Sequence, residues 1–179
     1  QFFYLKDKYH NITFIENTEY SYKNNISSLK AVGSILGSKD CFICESDLFI
    51  RVKTIFNKEF TKSCYFGKMV KGYSGDWVFE VNGDRITRIG IGGDNLYNMV
   101  GVSYWKKADA MVIRDSIKNA YKYSGHEKLF WDEIVNRELE NIYVMINPVE
   151  ADQIVEIDTC SDLADIDPAY KYLTHCEKQ

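Results

Sequence analysis

The chain has 179 residues, 45% hydrophobic and 27% charged, a balance that supports one globular domain with a core and excludes a disordered tail. Lys and Arg number 22 against 26 Asp and Glu, a net charge of −4, and no basic block could follow a phosphate backbone, which excludes nucleic acid as a partner. No apolar run approaches the roughly 18 to 20 residues of a membrane-spanning helix.

In chain order, Asn11-Ile12-Thr13-Phe14-Ile15-Glu16-Asn17 alternates and is β-branched, which predicts a short strand. Ile26, Leu29, Val32, Ile35 and Leu36 then recur at helical spacing, with Asn24 or Asn25 placed to cap the start and Gly37 to end the helix. Cys41-Phe42-Ile43-Cys44 is a continuous apolar run that predicts a strand buried on both faces. Strand, helix, strand is the unit of a parallel α/β sheet. Ser63 to Lys71, Asp76 to Val81 and Arg85 to Ile91 are short runs separated by Gly72, Gly75 and Asn82-Gly83-Asp84, which predicts an antiparallel series inserted beside the main sheet, with Trp77 facing a cleft. Tyr97 to Trp105 reads as a buried strand, Lys107 to Tyr123 and Leu129 to Leu139 as helices, and Ile142 to Ile146 as a strand. Ile154 to Ile157 is a short extended piece, and the acidic run from Asp158 to Asp167 starts a helical C-terminal tail that stops near Pro168. Without a repeat or linker, residues 1–179 form a single α/β domain with a mixed sheet and an antiparallel insertion.

The five cysteines Cys41, Cys44, Cys64, Cys160 and Cys176 are odd in number and scattered, which predicts reduced thiols and a cytoplasmic setting. Cys41 and Cys44 have C-x-x-C spacing, but residues three apart on a strand face opposite sides, so they are expected to be buried structural thiols rather than metal ligands. Gly90-Ile91-Gly92-Gly93 lacks a following Lys and opens no helix, so it predicts a hairpin loop, not a phosphate cradle. His10, His126 and His175 are too far apart in sequence to show ligand spacing. Asp47 and Asp158 each follow an apolar strand-like segment, where ligands bind in open α/β sheets. Two carboxylates from distant segments converging there suit Mg²⁺, a hard ion that prefers oxygen and also binds substrate phosphates.

Five motifs stand in a fixed order: Tyr22-Lys23-Asn24-Asn25 with Ser28-Leu29; Ile43-Cys44-Glu45-Ser46-Asp47; Gly101-Val102-Ser103-Tyr104-Trp105; Phe130-Trp131-Asp132-Glu133; and Val155-Glu156-Ile157-Asp158-Thr159 with Asp162-Leu163. Together they resemble the bacterial CTP:phosphocholine cytidylyltransferases, of the nucleotidyltransferase superfamily with its Rossmann-like sheet. Members of that family begin with a strand and a Gly-rich loop that grips the nucleotide triphosphate; no such loop precedes the first motif here. Beginning at Gln1 rather than Met, the chain is expected to be the C-terminal portion of a larger domain.

The resemblance implies that a substrate phosphate oxygen attacks the α-phosphorus of CTP and that pyrophosphate leaves, with catalysis by positioning and charge neutralisation. It implies that Asp47 and Asp158 hold Mg²⁺ and that Asn24 and Asn25 lie near the substrate. For a quaternary ammonium head, the expected binding faces are Trp77, Tyr104, Trp105 and Trp131, with Asp132 or Glu133 supplying charge. The expected substrates are CTP and phosphocholine or a similar small phosphorylated amine. The rivals are a sugar 1-phosphate or phosphonate as acceptor, and a non-catalytic binding domain built on the same sheet.

Overall fold

The structure is a computed structural model describing residues 4–175; residues 1–3 and 176–179, Cys176 among them, and the side chains of residues 173–175, His175 among them, lie outside the described residues. Its frame is a six-stranded mixed sheet in the order β1-β6-β3-β7-β5-β4, made of β1 (Cys41–Cys44), β3 (Ser63–Met69), β4 (Tyr73–Asn82), β5 (Arg85–Asp94), β6 (Tyr97–Trp105) and β7 (Val144–Pro148). A two-stranded sheet pairs β2 (Leu48–Ile50) with β8 (Ile154–Glu156). The helices are α1 (Leu5–Lys8), α2 (Ile26–Val32), α3 (Lys107–Ala120), α4 (Trp131–Glu138) and α5 (Cys160–Ile166).

β3 sits at the centre because its residues are apolar on both faces: Ser63 to Gly67 are all buried. It runs antiparallel to β6 and parallel to β7. Alternation along the strand divides the core. Tyr65 points to the face covered by α2, α3 and α4, where it meets Ile26, Trp105, Ile113, Ile134 and Val144. Cys64 and Phe66 point to the other face, with Val100, Val102 and Ile154 and the partly buried Phe60 and Tyr104.

Three expectations are corrected by this topology. Residues 12–17 form no strand; Ile12 and Ile15 remain exposed, and Asn17 is tied instead to the first turn of α2 by donating to Ser27 Oγ at 2.9 Å and to Ser28 Oγ at 3.2 Å. Without that strand, the described residues ahead of β1 form no parallel strand-helix-strand unit. β1 itself lies at the sheet edge, antiparallel to β6, with alternating half-buried and exposed residues rather than two buried faces. Cys44 is therefore exposed and Cys41 half-buried. Helix α2 also ends early, at Gly33, whose φ of 59° breaks the helical path before Gly37.

The antiparallel segments are present, but as part of the main sheet and not beside it. β4 and β5 form a hairpin, and β4 returns to β6 through the pairs Val78↔Asn98 and Phe79↔Tyr97. With the single pair Arg85↔Met145 between β5 and β7, the ladder closes a circuit of five strands. Gly90 to Gly93 lie within β5, not in the hairpin loop. Since β3 occupies one edge of β6 along most of its length, β1 and β4 must share the other: β4 pairs with residues 97–98 and β1 with residues 102–105. They part at Gly101.

Candidate active site

The gap between β1 and β4 is where the polar side chains gather. Glu45 follows β1 and its N–H donates to the Gly101 carbonyl at 2.9 Å. The chain then turns through Asp47 into β2, whose Leu48 pairs with Glu156 on β8, while the Ile157 N–H donates to the Asp47 carbonyl at 2.8 Å. This pairing brings two distant acidic segments side by side. Carboxylate oxygens of Glu45, Asp47 and Glu156 lie within 4.8 Å of one another, and Asp158 stands on the wall of the same cavity as Glu45 and Glu156. Partial desolvation raises the Glu45 carboxyl above its ordinary range, and Asp47, Glu156 and Asp158 raise it further. Glu156 is raised by the same causes, desolvation first, then Asp158 and Asp47. Such crowding of like charge is what a bound cation relieves, and an all-carboxylate donor set fits a hard divalent ion.

The cavity beside this cluster has a volume of about 440 Å³. Its walls carry five carboxylates, from Glu45, Asp76, Asp132, Glu156 and Asp158, against one amine, from Lys68; Trp77 and Phe130 supply the aromatic surface, with ring centroids 5.3 Å apart. A second cavity of about 400 Å³ shares Asn25 and Glu45 with the first and continues past Asp47 to Trp131.

Asp132 is the deepest of these acids, only 2% exposed, and receives the Tyr65 hydroxyl at 2.8 Å. Burial pushes its carboxyl up to about 7; the Tyr65 hydrogen bond opposes that rise and the charge of Glu45 adds to it. Tyr65 is itself held rigidly, stacked on Trp131 at 5.8 Å and edge-on to Trp105 at 5.5 Å.

No protein-family model matches the chain. A 2-aminoethylphosphonate cytidylyltransferase of Lancefieldella rimae is 45% identical over 174 residues, covering 97% of this chain and 71% of that protein. The chain belongs to the cytidylyltransferases. A choline-phosphate cytidylyltransferase of Streptococcus pneumoniae is 28% identical over 173 residues, 96% of this chain and 73% of that protein. The solved structure of a CTP:phosphocholine cytidylyltransferase from Streptococcus pneumoniae superposes with a TM-score of 0.82 at 26% identity, covering 96% of this chain and 74% of that one. The mixed sheet is accordingly the Rossmann-like nucleotidyltransferase fold.

Within this cytidylyltransferase site, the sequence candidates separate. Asp158, Asn25, Trp77 and Asp132 line the first cavity, and Asp47, Asn25 and Trp131 the second. Asn25 also has a structural task, since its Oδ1 accepts the Trp131 N–H at 2.9 Å at the start of α4. Asn24 lines neither cavity; its Oδ1 accepts the Asn25 N–H and its Nδ2 donates to the Lys128 carbonyl. Glu133 accepts the Phe130 N–H at 2.8 Å, closing the first turn of α4, and faces a neighbouring groove behind Trp77.

Tyr104 and Trp105 are not brought to the acidic cavities, because alternation along β6 sends them to opposite faces of the sheet. Trp105 is fully buried under the helices and donates to Ser103 Oγ at 2.8 Å. Tyr104 stacks on Phe60 at 4.7 Å and donates to Asp40. Trp131, 7% exposed, packs mainly in the core.

Sequence reasoning missed Glu45, Glu156, Asp76 and Asn98. A signal existed for the first two. Glu45 and Asp47, and likewise Glu156 and Asp158, are spaced i, i+2, the spacing that puts extended residues on one face. Asp76 and Asn98 become neighbours only through the β4–β6 pairing, which no local pattern announces.

Gly101 keeps the gap open. Its φ is 70°, and a Cβ there would lie 2.6 Å from Glu45 Oε2 and 3.1 Å from the Leu48 side chain. Gly101→Ala should therefore cost about 1–2 kcal/mol from the backbone conformation, lowering the melting temperature by about 2–8 °C, and should displace the Glu45 carboxylate. Thermal unfolding combined with Mg²⁺ titration checks this; an unchanged cation affinity would show that Glu45 does not bear on the cation.

Proposed function

We propose that this cytidylyltransferase acts on a small phosphonate or phosphate carrying a primary amine, with 2-aminoethylphosphonate as the first candidate acceptor. The observation that carries this reading is the make-up of the first cavity: beyond the acids of the carboxylate cluster, Asp76 and the buried Asp132 stand against one lysine, and only two aromatic faces are present. An ammonium with N–H groups is matched by acceptors, whereas a trimethylammonium has none to donate and depends on aromatic faces. The Lancefieldella rimae relative is named for such a primary amine.

Glu45, Asp47, Glu156 and Asp158 are the groups that would hold Mg²⁺, which supplies charge neutralisation for the phosphates when bound. Asn25 and Glu45 border both cavities, so the acceptor in the first and the nucleotide in the second meet at these residues. There an oxygen of the acceptor forms a bond to the α-phosphorus of CTP as the bond to the β-phosphate oxygen breaks and pyrophosphate departs. Asp132 anchors the distal ammonium, and Tyr65 fixes the carboxylate orientation. The protein contributes position and electrostatics rather than a covalent intermediate.

The Trp77–Phe130 pair favours a second reading, phosphocholine, to which cation–π attraction would contribute about 0.5–2 kcal/mol. Pyrophosphate release by the full natural protein, with CTP, Mg²⁺ and each of 2-aminoethylphosphonate, phosphoethanolamine, phosphocholine and glucose 1-phosphate, separates these. The expected result is a kcat/KM for 2-aminoethylphosphonate at least about tenfold above phosphocholine, the scale of one charged hydrogen bond. Phosphocholine in first place would establish the second reading, and glucose 1-phosphate in first place would overturn both.

A further inference from the structure

Asn98 is 4% exposed and lines the first cavity. Its amide nitrogen donates to Ser74 Oγ at 2.7 Å and to Asp76 Oδ2 at 2.9 Å. Ser74 is fixed in turn, accepting the Asp76 N–H at 3.2 Å. Both amide hydrogens are thus committed, and a flipped amide would set its oxygen against the Asp76 carboxylate, so the orientation is fixed. The oxygen that remains, Asn98 Oδ1, is shielded from solvent and has no hydrogen-bond partner. A buried carbonyl left unpaired is destabilising, and one on a cavity wall is placed to accept from a donor bound there.

We infer that Asn98 is a specificity-determining residue, its Oδ1 accepting an N–H of the acceptor's primary ammonium and thereby selecting against methylated amines. The inference rests on the proposed acceptor class and deepens it. Asp132 and Asp76 accept N–H groups as well, but their charge also attracts a methylated ammonium. A neutral acceptor inside a shielded wall discriminates differently: it gains only from a donor hydrogen, and a methyl group in the same place leaves it desolvated and unpaired. Met99 and Lys68 line the same cavity beside Asn98.

The test compares 2-aminoethylphosphonate with its N-trimethyl analogue in the full natural protein and in Asn98→Ala. Loss of a hydrogen bond to a charged group predicts a fall of about 10- to 100-fold in kcat/KM for the primary amine, a change within about twofold for the trimethyl analogue, and an unchanged KM for CTP. If Asn98→Ala fails to fold, Ser74→Ala, which frees the amide to rotate, should narrow the preference in the same direction by a smaller factor. Equal losses for both acceptors, or a loss confined to CTP, overturn the role of Asn98 while leaving the primary-amine reading intact. A natural protein that already prefers the trimethyl analogue overturns both.

Discussion

Asp158→Asn should lower turnover of the full natural protein about a hundred- to a thousandfold at saturating CTP and Mg²⁺, the scale of removing one ligand that neutralises transition-state charge. The substitution keeps the shape of the side chain, so the loss reports charge. In the absence of divalent cation the same variant should be slightly more stable than the natural protein, because Glu45 and Glu156 are raised in part by their acidic neighbours, Asp158 among them. Added Mg²⁺ should reverse the order, stabilising the natural protein more than the variant. A variant that loses activity yet keeps the full Mg²⁺-induced shift in melting temperature would place Asp158 outside the cation site.

Asp132→Asn should make the protein more stable and a poorer catalyst at the same time. Burial raises the Asp132 carboxyl from 3.8 to about 7. A carboxyl whose folded value lies above its unfolded one contributes stability below pH 4, and that contribution is lost as pH rises through 7. At 1.36 kcal/mol per pH unit, ionisation in the fold costs about 4 kcal/mol by pH 8. Asparagine carries no such cost and can still accept the Tyr65 hydroxyl. Denaturant melts should therefore show Asp132→Asn more stable by roughly 2–4 kcal/mol at pH 8, with the difference shrinking towards pH 4. The ammonium loses its counter-ion, so the KM for a primary-amine acceptor should rise about 10- to 100-fold. In the natural protein that KM should climb as pH falls below 7 and Asp132 becomes protonated. A flat stability difference between pH 4 and 8 would mean that Asp132 is ionised throughout.

Most elements were legible in the sequence because their cues are local. The helices α3 and α4 follow from apolar spacing, and β6 and the β4–β5 hairpin from aromatic runs broken by Gly83. What failed were inferences about neighbours. Residues 12–17 have strand composition but no strand to pair with, and β1 is apolar yet lies at an edge, since pairing is decided by segments far away in the chain. At the candidate site, the positions of Asp47 and Asp158 after apolar runs pointed to the segments that line the two cavities, and the paired spacing of Glu45 and Glu156 was there to be used. Trp105 and Tyr104 misled because a large aromatic side chain looks the same in sequence whether it fills a core or faces a ligand.

The shared edge of β6 has a consequence for how such a site can diversify. The clustered acids Glu45, Asp47, Glu156 and Asp158 lie on or next to β1, β2 and β8, whereas Asp76, Trp77 and Asn98 sit where β4 meets β6. β1 and β4, which lead into the two groups, pair with opposite halves of β6 and part at Gly101. Of the residues on the acceptor side, Asp76 and Trp77 can therefore be exchanged along β4 without disturbing the register that assembles the acids. The fold separates the part that must stay constant, phosphate chemistry, from the part that is free to vary, the shape and polarity of the far end of the acceptor.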